Sequence, residues 1–308
     1  MKKLLIPSAL LLSLALLATL MAPVLAAPGV GAPVAENLSL ETYRGVSVGG
    51  RLSGTDPDGD ALRFEIATPP SKGSVDLGED GRFVYTPDSG RRGRDYFGYR
   101  AIDPDGNASQ EATVVIKILK QKTKVEYADT AGTAGAYAAV RLAEEGLFTG
   151  ANLAGSYVFE PERAVTREEF LTMCVRMSGL PVLSGAVVTG FSDNADIEVW
   201  ARPYVGAALR GGVISGAAGE TGKAVFEPDR PVTVLEAVVI LDRAIGLTDA
   251  VTTWFSWDDA VPAWAMQSAA NAASCGLMPA GVRFSDETLS RGDAAQMLSA
   301  AMDLLAKR

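Results

Sequence analysis

One sequence pattern occurs three times in the C-terminal half of this 308-residue chain, and that repetition limits its folds more than any other feature. The segments V-F-E-P-E-R-A-V-T-R-E-E-F, V-F-E-P-D-R-P-V-T-V-L-E-A and R-F-S-D-E-T-L-S-R-G-D-A begin at Val158, Val225 and Arg283. Each follows a glycine-punctuated helical stretch ending near Gly146, Gly212 or Gly276. The unit is about sixty residues, longer than most solenoid repeats. Its helices offer apolar stripes too short to close a core alone, so the three copies are expected to complete one another in an approximately threefold assembly.

Within each copy a hydroxyl stands three residues ahead of a carboxylate: Thr166 and Glu169, Thr233 and Glu236, Ser290 and Asp293. This is the capping-box spacing, in which the hydroxyl accepts from the N3 amide and the carboxylate returns to the cap amide; Asp293 is a shorter substitute for Glu. Each cap is expected to contribute about 1 kcal/mol. Phe159 and Phe226, each two residues before a proline, read as core rings at a tight approach to the helix. Capping does not account for Arg167 and Arg291, which stand at the first helical position, where the macrodipole disfavours a cation. Each is either a solvated surface residue or a ligand clamp, and the helix physics favours the surface.

The remainder of the chain has a different periodicity. From 32 to 119 short alternating runs (Leu62, Phe64, Ile66; Phe83, Tyr85; Phe97, Tyr99, Ala101; Val114, Ile116, Ile118) are separated by turn sequences such as D-P-D-G-D and D-P-D-G-N. That pattern predicts an antiparallel β-sandwich. Residues 120–124, K-Q-K-T-K, form a basic connector without an apolar anchor, and a domain boundary is placed there. Beyond it the period becomes helical: Phe170, Met173, Cys174 and Met177 fall on one face, and Trp200, Tyr204 and Ala208 on another. The expected fold is therefore multidomain, all-β followed by all-α.

Residues 1–27 combine Lys2 and Lys3, an apolar run and the exit Ala26-Ala27, the form of a cleaved signal peptide; no later segment is long and apolar enough to span a membrane. Two cysteines make no disulfide framework, and Cys174 and Cys275 read as core residues. The absence of histidine removes Ser-His-Asp and Cys-His catalysis and the commonest zinc ligand. A net charge of −9 argues against a nucleic-acid partner. Asp56, Asp58, Asp60, Asp103 and Asp105 could supply oxygens to Ca²⁺, although Asp-Pro-Asp-Gly is also an ordinary turn sequence.

The C-terminal motifs resemble the S-layer homology (SLH) repeat of bacterial surface proteins, whose I-T-R-A-E signature corresponds to V-T-R-E-E at Val165–Glu169. The copies are placed at 125–182, 188–248 and 252–308. A second family marker, an aromatic-aspartate opening followed by Trp-Ala, is matched at Phe191, Asp193 and Trp200 and at Phe255 and Trp264. In the first copy only Tyr127 to Asp129 remains of it, with Gly135 near the missing tryptophan. The resemblance implies three helical repeats in a pseudo-threefold bundle that bind secondary cell-wall polysaccharide, with the motif arginine facing a groove and meeting acidic groups, typically on a pyruvylated sugar. It implies polymer-binding roles for Arg167, Arg291, Asp129, Asp193, Trp200 and Trp264, and a weaker groove at Val234, where the arginine is missing. As polymer clamps the arginines would carry affinity and not stability. Against this, a tryptophan at such a helix is more often core than a sugar platform.

The segment 32–119 looks like the cadherin-like or immunoglobulin-like modules of bacterial surface proteins, on the strength of G-T-D-P-D-G-D-A-L-R-F and F-V-Y-T-P-D-S-G. The expectation is a non-catalytic, secreted protein of the bacterial cell wall that needs no cofactor, its sandwich serving as a spacer or meeting a ligand of its own. Two alternatives stay open: the sandwich as a calcium-dependent adhesion or carbohydrate-binding module, and a wall-modifying enzyme built on a carboxylate pair.

Overall fold

In the computed structural model, residues 31–308 are described apart from 154, 184, 186–187, 220–221 and 257–260. The proposed signal segment 1–27 lies outside the described residues.

The alternating runs form a two-sheet sandwich. Its strands are β1 (Val34–Ala35), β2 (Leu38–Tyr43), β3 (Val48–Arg51), β4 (Gly54–Thr55), β5 (Arg63–Thr68), β6 (Gly73–Leu77), β7 (Arg82–Pro87), β8 (Gly93–Ile102) and β9 (Ala112–Leu119). One sheet has the order β2-β9-β8-β5 and the other β3-β7-β6, with β1 and β4 paired separately. β2 runs parallel to β9, whereas β8 is antiparallel to β9 and β5. The inward positions Phe83, Tyr85, Phe97, Tyr99, Val114 and Ile116 are buried, as strand alternation requires. Buried Asp95 accepts hydrogen bonds from the Tyr85 hydroxyl (2.8 Å) and the Ser71 and Lys72 amides (3.0 and 2.9 Å). Burial alone would raise its pKa; these bonds together hold it below the usual carboxylate range.

The helical part comprises α1 (Ala136–Glu144), the hairpin β10 (Ala151–Leu153) and β11 (Ser156–Val158), α2 (Arg167–Ser178), α3 (Arg202–Arg210), the hairpin β12 (Ala217–Ala218) and β13 (Ala224–Val225), α4 (Val234–Ile245), α5 (Ala263–Ser274) and α6 (Arg291–Leu305). Among the described residues no third hairpin precedes α6, which accounts for the shorter spacing between the second and third motifs.

The three motifs meet around a closed ring of backbone hydrogen bonds. Val165 N donates to Leu289 O (3.1 Å), Leu289 N to Val232 O (2.9 Å) and Val232 N to Val165 O (3.1 Å). Each motif helix then packs on the first helix of the next unit: α2 on α3, α4 on α5, and α6 back on α1. The first-turn amides follow the same order. Arg167 N and Glu168 N reach Arg230 O and Pro228 O; Val234 N and Leu235 N reach Glu287 O and Ser285 O; Arg291 N and Gly292 N reach Arg163 O and Pro161 O. The orphan donors of a helix N-terminus are thus satisfied by the neighbouring unit as well as by a side-chain cap.

The basic connector is more tightly held than its composition suggests. The Lys122 and Thr123 amides donate to the Glu144 carboxylate on α1 (2.6 and 2.7 Å). The sandwich also touches the helical part directly: Gly49 N donates to Ala134 O (3.1 Å), and the Tyr43 and Tyr137 rings are 5.4 Å apart. Tyr43 and Val46 are buried in the helical core, and burial with the neighbouring Tyr137 pushes the Tyr43 hydroxyl pKa up.

Candidate functional site: the grooves between repeats

Thr166 and Thr233 each accept from the N3 amide while Glu169 and Glu236 return to the cap amide, so both boxes are complete. Ser290 accepts from Asp293 N (3.1 Å), but the aspartate is one carbon too short to reach back, and its Oδ2 instead takes the Ser290 hydroxyl (2.7 Å). The third box is therefore half formed.

Neither motif arginine is a solvated surface residue, which corrects the helix-terminus argument. Arg167 Nε donates to Phe226 O of the next repeat (3.0 Å), and its guanidinium lies 3.6 Å from Glu236 and over the Phe226 ring. Arg291 is 3% exposed; Nη1 donates to Phe159 O (2.6 Å) and Glu160 Oε2 (3.1 Å), and the group stacks 4.8 Å over Phe148. The dipole cost at the first helical position is offset by these contacts in the neighbouring repeat. Both arginines thereby contribute to the fold, against the expectation that they act on affinity alone.

The two aspartates are also engaged. Asp129 accepts from Phe159 N and Glu160 N (3.0 and 2.6 Å), and Asp193 from Phe226 N and Glu227 N (2.9 and 2.7 Å). Glu160 and Glu227 have φ of 56° and 60°, a region costly for non-glycine residues, and the carboxylate clamp holds both turns in it. The third repeat's counterpart, around Trp257 and Asp258, lies outside the described residues.

The tryptophans depart from the core expectation: Trp200 is 50% exposed and Trp264 54%. Trp200 precedes α3 and does not share the buried face of Ala208. Trp264 borders a groove of about 330 Å³ that draws on all three repeats, with Arg167 from the first, Glu236, Val239 and Arg243 from the second, and Trp264 from the third. Burial pushes the Glu236 carboxyl pKa up, but bonds from Arg230 and the Thr233 amide, with Arg167 nearby, hold it below the usual range. Chemically the groove offers an exposed indole face, a guanidinium and a fixed carboxylate. Arg291 Nη2 lies 3.9 Å from Glu169, which stands on the motif helix of the first repeat.

Arg243 was not singled out by sequence reasoning. It and Arg176 stand ten residues after their cap threonines, a shared offset that could have marked them; the third copy has Ala300 there. A larger cleft, about 540 Å³, lies between the sandwich and the first repeat and holds none of the motif arginines or tryptophans.

The aspartates proposed for calcium are used in their own turns. Asp56 Oδ1 accepts from Asp58 N and Asp60 N, and Asp103 from the Asn107 amide and side chain. Among the described residues no group of three His, Cys, Asp or Glu is placed to hold a metal ion, and the turn bonds engage the carboxylates of Asp56 and Asp103, not those of Asp58, Asp60 and Asp105. No helix among the described residues is long and apolar enough to cross a membrane.

Comparison with known proteins places the sandwich in a family. Residues 31–120 match the bacterial cadherin-like domain. Over 145 residues, 46% of this chain, the protein is 26% identical to the surface-layer 125 kDa protein of Lysinibacillus sphaericus; the match covers 12% of that protein's length. Among solved structures, an endo-fucoidan hydrolase of glycoside hydrolase family 107 shares 23% identity over 30% of this chain and 14% of its own, with a TM-score of 0.26. The SrpA adhesin of Streptococcus sanguinis shares 22% over 33% of this chain and 64% of its own, with a TM-score of 0.24. At these TM-scores neither carries an argument about fold or activity.

Proposed function

We propose that this is a non-catalytic bacterial surface protein whose three C-terminal SLH-type repeats hold it to an anionic cell-wall polysaccharide while it displays a cadherin-like sandwich. The observation that carries the reading is the composite groove, in which a half-exposed tryptophan, arginines and a fixed carboxylate from three repeats face one space. An indole offers a flat apolar platform with a polar edge, suited to a sugar ring, and a guanidinium fork suits a carboxylate. The similarity to a surface-layer protein and the cadherin-like match both support a place at the cell surface. The net charge of −9 makes placed cations, and not the overall field, the source of grip on an anionic polymer. The test is sedimentation of the full chain with purified sacculi of a polymer-bearing wall. It should pellet with native sacculi and stay in solution once the polymer has been stripped from the peptidoglycan; equal binding to stripped sacculi would overturn the reading.

A further inference from the structure

The basic connector and the cleft beside it have no part in the polymer-binding reading. The cleft, about 540 Å³, is lined by the sandwich, the connector and the first repeat, and borders neither of the other repeats. Its volume falls within the range of about 300–1,000 Å³ usual for small-molecule sites.

The charged residues of its lining are Arg44, Lys124 and Glu126, a net positive rim on a chain whose net charge is −9. Both cations are exposed, and neither side chain makes a hydrogen bond or ion pair among the described residues. The backbone under each is nevertheless fixed. Arg44 N donates to Leu119 O (3.0 Å), and Val46 N closes the turn onto Tyr43 O (3.1 Å). Lys124 follows the two amides bound by Glu144, and the Gln121 side chain donates to Val125 O (2.9 Å) just beyond it. Uncommitted cations on an ordered backbone are preorganised for an anion, because the chain beneath them needs no further ordering.

Two other features of the same cleft point to a ligand. Tyr127 lines it and is 5% exposed, and its hydroxyl is buried without a hydrogen-bond partner among the described residues. Buried polar groups are ordinarily paired, so this oxygen marks a place where a polar group or water is accommodated. Burial, with Asp129 nearby, pushes the hydroxyl pKa up and keeps it a donor. Ala136 brings the N-terminus of the nine-residue helix α1 to the wall of the cleft, and the cap residue Gly135 gives that terminus no side-chain bond. The positive end of a helix favours an anion. Thr130 and Ser156 add hydroxyls to the lining, so an anion held here would meet polar groups suited to hydroxyls of its own.

We propose that this cleft binds a small polyhydroxylated carboxylate, the chemistry of an acidic sugar, its carboxylate taken by Arg44 and Lys124 and its hydroxyls by Tyr127, Thr130 and Ser156. With Glu126 at the same rim the lining carries one net positive charge, which fits a monocarboxylate better than a polyanion. The site is distinct from the groove at Trp264, and the proposal does not depend on the polymer-binding reading.

The test is calorimetric titration of the full chain with D-glucuronate, with D-glucose as the neutral control. Glucuronate should bind at least roughly tenfold more tightly than glucose, a difference of about 1.4 kcal/mol. Arg44→Ala with Lys124→Ala should remove one glucuronate site per chain, while the melting temperature stays within a few degrees because both side chains are exposed. Tyr127→Phe, which deletes only the unpartnered hydroxyl, should weaken glucuronate binding without loss of stability. No binding of glucuronate, no preference for it over glucose, or an isotherm unchanged by the double substitution would overturn the proposal. None of these results bears on the polymer reading, which sedimentation with sacculi tests separately.

Discussion

Arg291 carries a guanidinium into a nearly dry position, and it stays there because Phe159 O, Glu160 and the Phe148 ring receive it. Truncating it would strand a buried carbonyl and loosen the junction between the third repeat and the first. Removal of a hydrogen-bonded buried charge costs about 3–5 kcal/mol when its partner stays buried. Glu160 is half exposed and can rehydrate, so we expect Arg291→Ala to destabilise the chain by about 2–3 kcal/mol, the cost of leaving a hydrogen-bonded charged site unmet. Chemical denaturation of the full chain checks this. A midpoint unchanged from wild type would return Arg291 to the status of a surface residue. The exposed Arg243 supplies the internal control, since its removal touches no described hydrogen bond.

At the scale of elements, the caps and the ring explain why one repeat is not a folding unit. Two first-turn amides of α2 donate to carbonyls of the second repeat, Val165 N donates to the third, and α1 packs on α6. A fragment ending at Gly190 keeps the sandwich but loses every one of those partners. Its sandwich should melt cooperatively while 125–190 gives no cooperative transition, followed by hydrogen exchange of the α1 and α2 amides; strong protection of those amides in the fragment would contradict the account.

Much of this level was legible in the sequence. Period-two runs located β5, β7, β8 and β9, and the hydroxyl–carboxylate spacing located the starts of α2, α4 and α6, because both are local patterns. The grooves were not legible in the same way. A motif reads along the chain, whereas the groove at Trp264 draws on three repeats, so no single copy of the motif displays it. The exposure of the tryptophans was misjudged for a related reason: Trp200 lies just outside its helix, where helical periodicity no longer says which way a side chain points. Nor does composition show that the basic connector is held by Glu144, a partner more than twenty residues away.

For the whole molecule, the sandwich and the helical part are packed on one another. The sandwich is joined to the first repeat through Gly49 and Ala134, Tyr43 and Tyr137, and the Glu144 clamp on the connector. Burial of Tyr137, aided by the nearby carboxylates and opposed by Arg141, pushes its hydroxyl pKa up to about 12, so this contact stays uncharged across the physiological range. The sandwich is therefore packed on the first repeat and not merely tethered to it by the connector. On the proposed reading, the exposed indoles would meet the wall polymer, Trp264 with the guanidinium groups of Arg167 and Arg243 in the same groove.

The most direct measurement is the binding isotherm of the full chain on polymer-bearing sacculi, compared with that of the Trp200→Ala, Trp264→Ala double variant. Both rings are about half exposed, so the variant should melt within a few degrees of wild type, as surface changes do. The account predicts that its affinity falls at least roughly tenfold, about 1.4 kcal/mol. Undiminished binding by a folded double variant would contradict the claim that these grooves hold the wall polymer.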